Sequence, residues 1–226
     1  MSQVIVHAKH LYLSYKEVKA VQDVSFTIQS GEVLAVIGSN GSGKTSTIEC
    51  VEGLRKPDSG SIQVFGKDPL LHRGEIYRKI GIQLQETEYP AKIRVEELCR
   101  LYAGFYERPA DWKALMGRPK LLILDELTTG LDPEVRQNMW ETFRTIRDNG
   151  VAILLVSHYL DEVEALADRM LYLEKGKQQF FGTQEEFCAW AKTRIAPENQ
   201  QENDTLEKLY LKIVPKTTGI TMEGIL

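Results

Sequence analysis

The sequence from residue 33 to residue 48 is VLAVIGSNGSGKTSTI, and it decides the fold. Five apolar residues indicate a short strand, a glycine-rich turn follows, and the next residues indicate a helix. The turn at 38–45, GSNGSGKT, fits the phosphate-binding loop pattern. The residues that this pattern requires stand at the right spacing: Gly38, Gly43, Lys44 and Thr45. A strand, such a loop and a helix in this order predict an α/β fold that binds a phosphate group.

The residue types in this loop suit a nucleotide. Small residues let successive backbone N–H groups surround a phosphate, and the positive end of the following helix attracts the same anion. Lys44 adds a charge for the β- and γ-phosphates, and Thr45 can bind Mg²⁺. The alternative is a glycine turn with a solvated lysine, but the flanking strand and helix favour the phosphate site. The predicted ligand-binding residues here are Gly38, Ser39, Asn40, Gly41, Ser42, Gly43, Lys44, Thr45 and Ser46.

The segment LLILDE at 121–126 supplies the predicted second half of this site. Its four apolar residues indicate a buried strand, and Asp125 and Glu126 follow at the carboxyl end of that strand. From there Asp125 could reach the magnesium shell, and Glu126 could polarise an attacking water. The alternative is a strand that ends in two solvated acids. The phosphate loop upstream makes the nucleotide site the better hypothesis.

From residue 121 onward, apolar strands and helical segments alternate. This predicts a mainly parallel sheet core flanked by helices, with ligands at the carboxyl ends of the strands. One helix is well marked, because Asp132 could cap it and Pro133 would be its first residue. Asn149 and Gly150 would end it. The expected apolar face of this helix consists of Val135, Met139, Phe143 and Ile146.

Composition limits the class of protein. The chain has 226 residues, of which 42% are hydrophobic and 27% charged, so we expect one compact domain with a trailing segment. The formal net charge of −4 argues against nucleic acid as a partner. Three widely spaced cysteines, Cys50, Cys99 and Cys188, fit a reduced, cytosolic chain. We find no secretory signal, and the longest apolar run, at 151–156, is too short to span a membrane.

With these motifs in place, the chain resembles the ATP-binding cassette subunit of an ABC transporter over nearly its whole length outside one gap. The resemblance implies a P-loop NTPase fold with an N-terminal antiparallel β-subdomain and a helical lobe, and ATP and Mg as cofactors. VSH at 156–158 resembles the segment in which a histidine, here His158, contacts the γ-phosphate. In GIQLQE, Gln85 resembles the glutamine that reaches the magnesium and the attacking water. Without the resemblance, each would be an ordinary polar residue at the end of a strand.

Three further segments carry the resemblance. Tyr15, in SYKEVKAVQDVSFTI, resembles the aromatic residue that stacks on adenine, although a strand tyrosine can equally serve as core or edge packing. LTTGLDP at 127–133 resembles the loop that contacts the opposing subunit, with Asp132 as its acid and Leu127 in place of the usual proline. More weakly, DRMLYLEKGKQQFFGT and the terminal LEKLYLKIV resemble the branch that serves drug or polypeptide exporters. The implied catalytic residues are Glu126, His158 and Gln85, and the implied metal ligands are Thr45, Gln85 and Asp125.

One part of the family pattern is missing. Gln85 and Asp125 lie only 40 positions apart, about half the family's usual interval. In the family this interval forms a helical lobe that ends in a signature such as LSGGQ, and no such signature occurs in this sequence. We place the break between residues 111 and 117, so the helical lobe is truncated there. In a paired subunit the absent helix start would close over the γ-phosphate, so a homodimer of this chain would lack it at both sites.

The resemblance implies an ATPase subunit that powers export through a separate membrane-spanning permease. Its partners would be that permease and a second cassette, and it would lie at the cytoplasmic face of the cell membrane. Because the signature is missing, we expect ATP binding with weak or absent turnover in isolation. The alternatives are a non-hydrolysing regulatory partner and a soluble relative not tied to transport. We expect an ATP-binding domain over 1–194, and a polar linker and short C-terminal helix over 195–226.

Overall fold

The computed structural model describes residues 3–83, 119–125, 132–199, 201 and 204–214. These residues contain nine strands: β1 (Val4–Tyr15), β2 (Val18–Gln29), β3 (Val33–Ile37), β4 (Ser59–Val64), β5 (Ile80–Gln83), β6 (Leu121–Asp125), β7 (Ala152–Val156), β8 (Arg169–Glu174) and β9 (Lys177–Thr183). They also contain six α-helices: α1 (Lys44–Val51), α2 (Arg73–Ile76), α3 (Pro133–Asp148), α4 (Leu160–Leu166), α5 (Gln184–Lys192) and α6 (Leu206–Ile213). None of these helices is long and apolar enough to cross a membrane.

The nine strands form one mixed sheet in the order β4-β1-β2-β9-β8-β3-β7-β6-β5. Strands β8, β3, β7, β6 and β5 pair in parallel, and this part is the core of the sheet. Strands β2, β1 and β4 pair antiparallel at the other side. The prediction of a mainly parallel core with an N-terminal antiparallel β-subdomain is therefore confirmed.

The central strands β3 and β7 are buried along their whole length. Successive residues of β3 face opposite layers, as the pleat of a strand requires. Leu34 and Val36 belong to the cluster that contains α1, whereas Ala35 and Ile37 belong to the cluster that contains α4, α5 and α6. Helices therefore cover both faces of this strand, which explains why its sequence is continuously apolar rather than alternating.

Helix α3 has the predicted bounds, but two of its residues differ from expectation. Asp132 occupies the N-cap position, yet in the described residues its side chain makes no capping hydrogen bond. Its exposed carboxylate still lies at the positive end of the helix, where a negative charge is favourable. Val135 is 44% exposed because it lies in the first turn, whereas the apolar contacts with the sheet begin further along. The residues of α3 in the core cluster are Met139, Trp140, Phe143 and Ile146.

The C-terminal part packs onto the same core. Helix α5 begins with a capping box, in which the Thr183 hydroxyl accepts from the Glu186 N–H at 3.2 Å and the Glu186 carboxylate accepts from the Thr183 N–H at 2.8 Å. Leu206 and Leu209 of α6 are buried in the cluster that also contains Phe187 of α5. The short helix predicted near the end of the chain thus contributes to the hydrophobic core.

An ion pair joins the start of β8 to the turn before β3. The Arg169 guanidinium donates to both carboxylate oxygens of Glu32 and, at 2.9 Å, to the carbonyl oxygen of Thr27. The neighbouring Asp168 accepts a hydrogen bond from the Val33 N–H at 2.8 Å. Asp168 and Arg169 therefore fix the start of β3, the strand that leads to the glycine-rich loop.

Candidate nucleotide-binding site

The glycine-rich loop connects β3 to α1, and two of its positions admit no side chain. A Cβ atom on Gly38 would lie 2.2 Å from the carbonyl oxygen of Leu173 in β8, and one on Gly43 would lie 2.3 Å from that of Ala20 in β2. Gly41 has space for a Cβ atom but needs a φ of 75°, which side chains disfavour. The loop thus packs closely against the backbones of two strands, and that contact requires glycine at positions 38 and 43.

Lys44 is folded back into this loop. Its Nζ donates hydrogen bonds to the carbonyl oxygens of Gly38 at 2.8 Å and Ser39 at 3.1 Å, and the residue is only 7% exposed. Burying an ammonium group is costly unless it is hydrogen-bonded, so the loop carbonyls stabilise the charge in this position. A fixed positive charge beside backbone N–H groups is the arrangement that a polyphosphate requires.

The N-terminus of α1 adds further donors. Its N-cap residue is Gly43, which has no side chain to satisfy the first N–H groups of the helix. The Ser42 hydroxyl is buried and has no hydrogen-bond partner in the described part of the chain. An uncapped helix start beside a buried hydroxyl favours an anion. The other predicted residues lie at the tip of the loop or in the first turn: Ser39, Asn40, Gly41 and Thr45 are exposed, and Ser46 is half-buried.

Strand register brings Asp125 and His158 to the same edge of the sheet as this loop. Asp125 ends β6 and pairs with Val156 of β7, which pairs with Val36 of β3. Neighbouring strands lie about 4.8 Å apart, so the Asp125 backbone is roughly 10 Å from the strand that leads to the loop. His158 follows β7 at the same edge and is exposed, whereas Asp125 is half-buried. These two predicted residues are therefore near the loop, as a shared site requires.

A buried acid that the sequence did not reveal lies at the end of α1. Glu52 is 3% exposed, and its burial, with the negative charges of Asp125 and Glu49, raises its pKa from 4.5 to about 7. A signal for it was present, because Glu52 follows buried Ile48 by four residues and so shares its helical face. The structure thus adds a buried carboxyl group whose pKa is raised in part by the negative charge of Asp125.

Tyr15 ends β1 and is held by two residues that belong to no sequence motif. Its hydroxyl donates to Oε2 of Glu49 at 3.0 Å, and the same oxygen accepts from Nε of Arg55 at 3.1 Å. The Arg55 guanidinium carbon lies 5.4 Å from the centre of the Tyr15 ring. Tyr15 is half-buried and also packs against the main hydrophobic cluster, and the stacking role at adenine stays a prediction.

Some of the predicted features fall outside the described residues. They are Gln85, Glu126, the loop residues 127–131 and the proposed break at 111–117. The residues that are described do fit ATP and Mg²⁺ by their chemistry. Lys44 and the helix start suit phosphates, while the Thr45 hydroxyl and the Asp125 carboxylate are the hard oxygen ligands that Mg²⁺ prefers.

Comparison with protein families gives a match to the model described as "ABC transporter" over residues 21–112. The linearmycin resistance ATP-binding protein LnrL of Bacillus subtilis (strain 168) is 31% identical, and the match covers 82% of this chain and 71% of that protein. The Nod factor export ATP-binding protein I of Rhizobium sp. (strain N33) is 29% identical over 263 positions, covering 98% of this chain and 86% of that protein. Since this chain has 226 residues, that alignment includes positions at which it has none.

The fold also matches a solved structure described as the ATP-binding subunit of an ABC transporter. The TM-score is 0.74 at 24% sequence identity, and the match covers 92% of this chain and 98% of that one. At this identity the likeness concerns the fold alone.

Proposed function

This chain belongs to the family of ABC transporter ATP-binding proteins, and we propose that it binds Mg·ATP to power export through a separate membrane-spanning permease. In this role it pairs with a second cassette and is held by the permease at the cytoplasmic face of the cell membrane. The observation that best supports nucleotide binding is the position of the Lys44 ammonium, which the carbonyls of Gly38 and Ser39 fix beside an uncapped helix start.

Binding is divided among three groups of residues in this proposal. Lys44 and the backbone N–H groups of 38–46 bind the phosphates, and the ring of Tyr15 supports the adenine. Thr45, Asp125 and Gln85 hold Mg²⁺, which neutralises charge on the phosphate oxygens when it is bound. The backbone pairing of Asp125 with Val156 of β7, at the edge of the sheet where these phosphates would lie, supports this assignment.

Hydrolysis requires groups that act at the γ-phosphate. Glu126 follows Asp125 directly, and we assign it to polarise the attacking water. His158, which follows β7, would contact the γ-phosphate, and Gln85 would contact both Mg²⁺ and the attacking water. Asp132, exposed at the start of α3, faces the paired cassette. Negative charge that develops at the γ-phosphate also needs a preorganised partner on its other side, which in this family the signature helix of the second cassette provides.

We propose that turnover by the isolated chain is weak or absent, because it carries no signature to close a paired site. The match to the family model ends at residue 112, inside the interval 111–117 where we place the break. An alignment longer than the chain also supports an internal loss. A complete cassette as partner would restore one composite site, in which this chain supplies the phosphate loop and Glu126 and the partner supplies the signature.

The proposal that this chain powers export is supported by two relatives, whose names refer to Nod factor export and linearmycin resistance. The permease would select the substrate.

A second candidate function, favoured by the missing signature, is that of a regulatory partner that binds ATP without hydrolysing it. A soluble role apart from transport is a third candidate, and it predicts that the chain does not co-purify with a membrane protein.

Equilibrium binding of Mg·ATP tests the proposed site. Lys44→Ala should weaken binding by about 10- to 150-fold, because hydrogen bonds to charged groups contribute about 1.5–3 kcal/mol. Lys9→Ala is the matched control, since it removes the same charge from an exposed position of β1 and should leave the affinity unchanged. Absence of saturable binding, or equal affinity of the wild-type and Lys44→Ala proteins, would contradict the proposal.

A further inference from the structure

We propose that Glu49 and Arg55 position Tyr15 as the platform for the nucleotide base, and that Arg55 restricts the base to one face of the ring. The inference rests on the proposed nucleotide site and assigns roles to two residues outside its motifs. Both are positioning residues, because they would act on the base through Tyr15.

One carboxylate oxygen fixes the ring and the guanidinium together. Oε2 of Glu49 accepts from the Tyr15 hydroxyl at 3.0 Å and from Nε of Arg55 at 3.1 Å. The tyrosine ring is therefore held at its hydroxyl end by α1 and at its backbone end by β1. A ring that already has a fixed orientation loses less freedom when a base stacks on it, and this favours binding.

The position of Glu49 in α1 relates this ring to the phosphate loop. Lys44 is the first residue of α1 and Glu49 is the sixth. With a rise of 1.5 Å per residue, the two lie roughly 8 Å apart along the helix axis. One short helix therefore carries the phosphate-facing N–H groups at its start and the support for Tyr15 further along. This rigid connection would set the distance between the phosphate and base subsites.

The distance between Arg55 and the ring limits where a base can stack. The guanidinium carbon lies 5.4 Å from the ring centre, within the range of a cation–π contact. A base inserted between them would need about 7 Å, two stacking layers of about 3.5 Å. Since the observed gap is smaller, a base that leaves this contact intact must stack on the opposite face.

The test compares ATP with inorganic tripolyphosphate, which has the phosphates but no base. Equilibrium binding of both in Mg²⁺ is measured for the wild type, Tyr15→Ala, Glu49→Ala and Arg55→Ala. The ratio of the two affinities reports on the nucleoside, which is the base with its ribose, because any change of charge near the site affects both ligands. Lys56→Ala controls for the lost charge at an adjacent exposed position, and Arg55→Lys tests whether a cation restores the effect. Thermal unfolding confirms that each variant is folded.

We expect Glu49→Ala and Arg55→Ala to lower the ratio of ATP to tripolyphosphate affinity by about two- to tenfold, with Tyr15→Ala lowering it at least as much. Lys56→Ala should leave the ratio unchanged. If only Tyr15→Ala lowers the ratio, the base platform stands and the roles of Glu49 and Arg55 are overturned. A higher ratio in Arg55→Ala would also overturn the inference, because it would mean that Arg55 hinders base binding more than it helps by orienting the ring. If Tyr15→Ala leaves the ratio unchanged, the adenine role of Tyr15 in the proposed function fails as well.

Discussion

Replacing Arg169 with methionine should destabilise the protein strongly, because it leaves a buried carboxylate without its cation. In the folded protein the Arg169 guanidinium contacts both oxygens of Glu32 and the carbonyl oxygen of Thr27. The Glu32 side chain is only 10% exposed and that of Arg169 is 22% exposed. Methionine fills much of the volume of the arginine stem, so the main loss is the charge and its hydrogen bonds.

The size of the effect follows from these contacts. Removing one member of a buried ion pair costs about 3–5 kcal/mol. Two features reduce that figure here: Arg169 is partly accessible to water, and the Gln29 N–H still donates to Glu32 at 2.6 Å. We therefore expect a loss of about 2–4 kcal/mol in the free energy of unfolding. A second change, Glu32→Gln, should recover part of this loss, because it removes the unpaired charge.

Urea unfolding of Arg169→Met and of the double variant checks this reasoning. If the free energy of unfolding falls by about 2–3 kcal/mol per molar urea, the midpoint of the unfolding transition should be about 1 M lower in the single variant. Arg78→Met, at an exposed position, is the control and should change the unfolding free energy by less than about 0.5 kcal/mol. A loss below about 1 kcal/mol for Arg169→Met, or a double variant less stable than the single one, would refute the account of this pair.

Three further changes test other parts of the structure. Gly38→Ala should abolish ATP binding because its Cβ would lie 2.2 Å from the Leu173 carbonyl oxygen. In Gly41→Ala the added Cβ meets no atom within 4 Å, so this variant should lose only about 1 kcal/mol of stability through φ strain. Calorimetric ATP titration and thermal unfolding distinguish the two variants. Glu52 favours its protonated form when folded, so its contribution to stability without Mg²⁺ should fall as the pH rises from 4.5 to about 7. Glu52→Gln removes that contribution and should be about 1–3 kcal/mol more stable than the wild type above pH 7; the same pH dependence of the two proteins in urea unfolding would contradict this. Phe187→Ala should cost about 3–5 kcal/mol in urea unfolding because the ring is fully buried, and a loss below about 1 kcal/mol would contradict this.

The strands and the phosphate loop were predictable because their signals are local. Five consecutive buried residues in β3 and the glycine spacing after them define the strand, the turn and the helix start within one short segment. The alternation after residue 121 gave the parallel core in the same way. Family resemblance supplied the antiparallel side of the sheet, where β1, β2 and β4 carry no pattern that fixes their partners.

The residues that escaped prediction depend on contacts between distant segments. The pKa shift of Glu52 results from burial and from charges that include Asp125, which lies far away in sequence. The contact of Arg55 with Tyr15 joins the end of β1 to the residues after α1. Val135 was instead wrongly predicted from a local pattern. Helical periodicity assigned it to the core, but its place in the first turn leaves it exposed. Periodicity alone does not show where a helix leaves the sheet.

The measurement that tests the central claim most directly is phosphate release by the purified chain in Mg·ATP, with nucleotide binding measured in parallel. Lys44→Ala and Glu126→Gln serve as controls for the phosphate loop and the proposed catalytic acid. We predict saturable ATP binding with little or no phosphate release, since the sequence carries no signature for the helix start that would close a paired site. Rapid hydrolysis that disappears in both variants would contradict it, because it would mean that the site closes without the signature.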